Sequence, residues 1–308
     1  MLSRPIDILS KFPVRKTKQQ KLQFRQDVIA YCECLGYPVA VEECSFGGHN
    51  LIIGNPKSAR YLVTAHYDTP ARLLFPNFAA PENRFITIFK LSITILIFSM
   101  IGFCGGFLTG SGNVIPGLLL WLIPIVYPFV MLLGPANQNN ANDNTSGVVT
   151  LLETARTMPI NQRDRVCFVL FDLEEAGLIG SGSYQKAHKE ETEHQIVLNL
   201  DCVGDGDEIC FYPMKTMRKQ ESRLVWLRQV KGNLGPKTVY VKESGFVSYA
   251  SDQRRFPNAV AICALHRSKY IGRYFSRIHT VKDTILDETN VNILRACLTT
   301  LISSDAAK

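Results

Sequence analysis

The stretch YLVTAHYDTP, Tyr61 to Pro70, ends an apolar run on His66 and Asp68, two residues apart. Two further apolar runs end on acids, CFVLFDLEE on Glu174 and Glu175 and IVLNLD on Asp201. Short apolar runs of this kind read as buried strands, and open α/β sheets build their sites at the carboxyl ends of strands. Taken singly, an acid after a strand is a turn former or a helix cap. Three strands that aim His66, Glu174, Glu175 and Asp201 at one edge make a cluster. NNANDNTSGVV adds Asp143 on a polar turn before a helical pattern, and FSRIHTVKDT adds His279 on a loop before the last helix.

Neutral imidazole and carboxylate oxygens suit zinc, with manganese or cobalt as substitutes, and a set without thiolates argues against a purely structural zinc. Two histidines and three carboxylates are enough ligands for two ions. Asp143 can bridge them with one oxygen to each, the arrangement that sets two metals roughly 3.5–4 Å apart. Successive residues leaving a strand point in different directions, so one of Glu174 and Glu175 can ligate while the other faces water. A metal lowers the pKa of a bound water toward about 7, and an unligated glutamate can take the proton and pass it to a leaving amine. Asp68 lies on the same side of an extended chain as His66 and can accept its second ring N–H, which fixes the tautomer. The reaction class these residues permit is hydrolysis.

The elements that carry these residues fall into two kinds. Between Asp68 and Asp143 lie Leu91 to Leu108, eighteen residues without a charge, and Val114 to Leu133, twenty more. At 1.5 Å per residue they extend about 27 and 30 Å, enough for two membrane crossings. The short turn TGSGN between them is uncharged, whereas Arg84, Lys90 and a basic amino-terminal segment lie on the other side. By the positive-inside bias the turn faces out and the rest is cytoplasmic. Neither crossing holds an acid or a histidine, so the hairpin reads as an anchor and not as a proton or ion path. Without it, the chain alternates strands and helices, an α/β pattern. Helical spacing covers KQQKLQFRQDVIAYCECLG, TSGVVTLLETARTM, ESRLVWLRQV and ETNVNILRACLTTLI, and NAVAICAL reads as a further strand. The expected organisation is one discontinuous domain of residues 1–83 and 135–308, with residues 84–134 inserted as a two-helix transmembrane hairpin.

Composition bounds the partners. The net charge is +7, but no nucleic-acid motif accompanies it and the basic excess is strongest in the flanks of the hairpin, so a bilayer with anionic lipids is the expected partner and nucleic acid is not. Nine cysteines, an odd number without zinc-finger spacing, fit a reducing compartment. The first twenty-five residues carry seven Lys or Arg against one acid, Asp7, and no apolar run follows Met1 as a secretory signal requires. The expected location is the plasma or inner membrane, with the soluble domain facing the cytoplasm.

Five segments, AHYDT, NDNTSG, DLEEAGLIGS, NLD and IHTVKDT, occur in an order that resembles the signatures of the co-catalytic zinc aminopeptidases of peptidase family M28. The resemblance implies a mixed β-sheet flanked by helices, the zinc-dependent exopeptidase fold. It implies two zinc ions per chain, one on His66, Asp143 and Asp201 and the other on Asp143, Glu175 and His279. It also implies Glu174 as general base, Asp68 as the residue that orients His66, and peptides with free amino termini as substrates. The chain departs from the family pattern twice. The hairpin separates Asp68 from Asp143 by 75 positions, and in ASDQRRF Gln253 stands where the family has a histidine, with nearby Tyr249 a candidate to polarise a scissile carbonyl. Two other functions share the fold: a single-zinc glutaminyl cyclase, and a membrane receptor or scaffold without catalysis.

Overall fold

Apolar runs too continuous to leave one face in water form the middle of a ten-stranded mixed sheet. The computed structural model describes residues 2–73 and 77–304. The strands are β1 (Val39–Cys44), β2 (Gly48–Ile53), β3 (Tyr61–His66), β4 (Val166–Phe171), β5 (Ile196–Leu200), β6 (Glu208–Pro213), β7 (Gly232–Leu234), β8 (Lys237–Val241), β9 (Ala259–Ser268) and β10 (Gly272–Tyr274). They run in the order β1-β2-β4-β3-β5-β9-β6-β8-β7, with β10 on β9. The four central strands β4, β3, β5 and β9 are parallel, so their carboxyl ends share one edge. Every residue of β3, β4 and β5 is buried.

Among the described residues ten α-helices accompany the sheet: α1 (Ile8–Lys11), α2 (Lys18–Cys34), α3 (Arg84–Gly110), α4 (Val114–Leu133), α5 (Gly147–Thr157), α6 (Ile179–Ala187), α7 (Lys189–His194), α8 (Lys215–Arg218), α9 (Glu221–Arg228) and α10 (Glu288–Ser303). Side chains alternate across a strand, and the core divides accordingly. Tyr61, Val63 and Ala65 of β3 join α2, α5 and α10 on one face through Phe24, Leu151 and Leu298. Leu62 of β3 joins Cys167, Val169 and Tyr184 of α6 on the other. Thr17 caps α2 by accepting from the Gln20 N–H, and Gln20 reaches back to complete a capping box.

Helices α3 and α4 follow different rules. Both are long and apolar enough to cross a membrane, and only 6% of the most apolar window of each is buried. They touch through glycines. A Cβ on Gly105 would meet the Gly117 carbonyl oxygen at 2.9 Å, and one on Gly117 would meet Thr109 Oγ1 at 2.1 Å, the close approach that small residues allow between membrane helices. Helix α3 begins at Arg84, seven residues before the charge-free stretch, and the turn is confined to residues 111–113, so the expected turn TGSGN is partly helical. Lys90 remains inside α3 because its ammonium reaches back to Asn77 Oδ1 and the Phe78 carbonyl.

The chain entering and leaving the helical pair is pinned to the domain. Ala71 and Ala136 form an antiparallel bridge, and so do Ala79 and Phe275. Just before α3, Glu82 accepts from Tyr212 at 2.9 Å and pairs with Lys242 at 2.7 Å and Arg273 at 3.2 Å.

Candidate metal centre

The parallel register brings His66 opposite Phe171 at the ends of β3 and β4. His66 is therefore level with the Asp172–Glu175 turn, and Asp201 follows β5 on the other side of β3. Asp143 enters from the turn before α5 and His279 from the loop before α10. His279 sits at φ 60°, a left-handed conformation uncommon for a residue with a Cβ and most often found where a site fixes it.

All seven residues singled out in the sequence meet here. His66 Nε2 lies 3.2 Å from Asp143 Oδ1 and 3.7 Å from Asp201 Oδ1. Asp143 Oδ2 lies 2.9 Å from His279 Nε2, which is 3.3 Å from Glu175 Oε1. Two triples, His66–Asp143–Asp201 and Asp143–Glu175–His279, thus share one carboxylate, with donor atoms within 4.8 Å of one another in each. A third triple, His66–Glu174–Glu175, takes one member from each of these and adds Glu174.

Asp68 departs from the simplest expectation. Its Oδ1 is 3.4 Å from His66 Nδ1, yet that nitrogen is buried without a hydrogen bond. The Asp68 carboxylate instead accepts the backbone N–H groups of Glu174 at 3.1 Å and Glu175 at 3.2 Å. It fixes the turn that presents both glutamates as well as facing the ring.

The electrostatics match a cation-binding set. Burial opposes charge on His66, but Glu174, Asp143, Asp201 and Asp68 outweigh it and raise its pKa well above the ordinary value. His279 behaves alike, with Glu175 and Asp143 overcoming burial. Burial also opposes ionisation of Asp143, yet His279 and His66 hold it below the ordinary carboxylate range. Burial, helped by Glu175, Asp252 and Asp201, lifts Glu174 well above that range against the pull of His66. Buried carboxylates this close together are costly unless positive charge joins them. Two imidazoles and three carboxylates without a thiolate are a donor set that zinc accepts.

Several residues that serve the site carry no legible signal in the sequence. Asp283 accepts the N–H groups of Asn142 at 2.8 Å and of Asp143 at 3.1 Å, and so holds Asp143 from behind. Burial, then the charge of Asp143, push its own pKa up to about 8 against those donors and His279. It belongs to IHTVKDT, so its nearness to His279 in the chain is the one available hint. Replacing it by Ala leaves two buried N–H groups without acceptors, which costs about 1–3 kcal/mol. Asp283→Ala is thus expected to lower stability by that amount in a denaturant titration and to weaken metal retention about 10–100-fold, read by competition with a chromogenic chelator.

Arg15, fully buried, donates to the Tyr67 carbonyl at 2.6 Å, the Phe12 carbonyl at 2.7 Å and Thr145 Oγ1 at 3.0 Å, tying the segments after His66 and Asp143 together. Asp252 is buried with neither carboxylate oxygen hydrogen-bonded, and burial raises its pKa to about 7 against His66. Gln253, beside it, accepts from Asn199 at 3.1 Å and donates to the Tyr249 carbonyl at 3.0 Å, so it serves the protein interior. The Tyr249 hydroxyl donates to the Asp201 carbonyl at 3.0 Å, a commitment that removes it as a free donor for a substrate carbonyl.

The profile of peptidase family M28 matches residues 128–303, more than half of the chain. The chain belongs to peptidase family M28. The match starts inside α4, so it takes in Asp143, Glu174, Glu175, Asp201 and His279 but not His66 and Asp68, which the helical pair separates from the rest. Aminopeptidase YwaD of Bacillus subtilis (strain 168) is 35% identical over 89 residues, 28% of this chain and 20% of that relative's length. Among solved structures, a Zn-dependent exopeptidase from Parabacteroides distasonis superposes with a TM-score of 0.61 at 16% identity, covering 98% of this chain and 96% of the other. The Tannerella forsythia glutaminyl cyclase does so with 0.60 at 16% identity, over 98% and 97%. This M28 chain therefore shares its mixed sheet and flanking helices with enzymes of two activities.

Proposed function

We propose that the chain is a membrane-anchored aminopeptidase that holds two zinc ions, one on His66, Asp143 and Asp201 and one on Asp143, Glu175 and His279. The observation that carries the proposal is the double use of Asp143, whose two oxygens face two different histidines. When bound, the ions acidify a water and polarise the carbonyl of the scissile bond. Glu174 belongs to neither of the two triples that share Asp143 and keeps its carboxylate free for a proton. With burial raising its pKa well above the ordinary carboxylate range, it takes that proton from the attacking water and delivers it to the leaving amine. Asp68 holds Glu174 in place through the backbone, and Asp283 accepts the Asp143 N–H.

Two complete triples favour this reading over a single-zinc cyclase, and an intact ligand set favours it over a scaffold. Residues 84–134 are the anchor, inserted into a discontinuous domain of residues 1–83 and 135–308 that faces the cytoplasm. A soluble core helix of this composition would be buried, whereas most of the large apolar side chains of α3 and α4 are exposed. The full chain is expected to resist alkaline carbonate extraction from membranes. Detergent-purified, zinc-loaded protein is expected to remove single residues from the amino termini of a peptide mixture, read by mass spectrometry. Pyroglutamate formation from peptides that begin with glutamine, without cleavage, would overturn the reaction.

A further inference from the structure

Where α3 and α4 approach the domain they leave an open cavity of about 990 Å³, at the upper end of volumes that hold a small-molecule ligand. Its walls are apolar side chains of both helices, Ile93 and Leu122 among them, and its domain end includes Arg72 and Lys90. Among the described residues Lys90 donates to Asn77 Oδ1 and the Phe78 carbonyl, and no carboxylate pairs with it or with the exposed Arg72. An apolar trough with two cations at one end that no described carboxylate compensates is complementary to an anionic head on apolar chains. Basic pockets between membrane helices on the cytoplasmic side bind anionic lipid headgroups for this reason.

We propose that this cavity binds one anionic phospholipid, with the phosphate on Arg72 and Lys90 and the acyl chains along Ile93 and Leu122. The proposal rests on the reading of α3 and α4 as membrane-spanning, but not on the reaction. The lipid lies beside the metal centre, since Leu73 in the cavity wall donates its N–H to the His279 carbonyl at 2.8 Å.

The test is native mass spectrometry of the full chain in detergent after mixing with phosphatidylglycerol or phosphatidylcholine. Wild type is expected to retain one phosphatidylglycerol and to prefer it over phosphatidylcholine by about tenfold or more, a preference that R72Q/K90Q removes. R72Q alone, in an exposed segment, is expected to weaken it and R72K to restore it, which separates a lost phosphate contact from a damaged helix. Equal retention of both lipids, or retention untouched by R72Q/K90Q, overturns the site. So does displacement of the lipid by an apolar peptide without change in R72Q/K90Q, which would make the cavity a substrate channel. A chain that stays in the aqueous phase of a detergent phase separation refutes the membrane reading itself, and the lipid site falls with it.

Discussion

Glu174→Gln is expected to lower kcat by about 10²–10⁴-fold, the usual effect of removing a positioned general base. The substitution keeps the size and the backbone N–H that Asp68 holds, but the amide cannot accept a proton at neutral pH. Because Glu174 lies outside the two triples that share Asp143, zinc content is expected to remain as in wild type. KM is expected to change little, since the loss falls on proton transfer. Glu174 is lifted mainly by burial and by Glu175, Asp252 and Asp201, so Glu174→Asp, which keeps the carboxylate but shortens its reach, is expected to restore part of the rate. The measurement is steady-state turnover of a leucine amide together with zinc analysis and circular dichroism. Wild-type turnover in a folded, zinc-loaded Glu174→Gln protein would remove Glu174 from the mechanism.

The same residue illustrates what a sequence exposes. Glu174 was legible because CFVLFDLEE ends a buried strand, and parallel strands bring their carboxyl ends to one edge of the sheet. His66 and Asp201 were legible on the same grounds, and the central strands β3, β4, β5 and β9 with them. Asp283 was not, because its work is to accept two N–H groups 141 and 140 positions away, a relation without local pattern. Asp252 and Arg15 are of that kind too: in the chain they are one acid in SDQ and one of a basic run, and only burial separates them from solvated charges. Strand β7 spans three residues including a glycine, too short to display alternation. Lys90 marked the expected edge of an apolar segment, yet α3 runs through it because a long side chain can carry its charge back to the loop at Asn77.

Asp143→Asn is expected to abolish binding of both zinc ions, whereas Asp201→Asn and Glu175→Gln are each expected to cost one. The difference follows from the geometry: Asp143 offers Oδ1 toward His66 and Oδ2 toward His279, while Asp201 and Glu175 each belong to one of the two triples that share it. Stability reports the same difference. A ligand present at 100 times its Kd stabilises the native state by about 2.7 kcal/mol, so wild-type Tm is expected to rise with free zinc and that of Asp143→Asn to stay flat. The variant is expected to be less stable without zinc as well. Asp143 has a folded pKa below its unfolded value, so its charge stabilises the fold above the unfolded pKa, a contribution lost as pH falls through the folded one. The histidines supply the opposite sign. Their raised pKa means that zinc must displace protons at neutral pH, so wild-type zinc affinity is expected to climb as pH rises above the ordinary histidine range. Zinc titrations at several pH values, with Tm read in parallel, test both signs at once. Retention of one ion by Asp143→Asn would show that the two sites do not share a ligand, and the bridged centre would have to be abandoned.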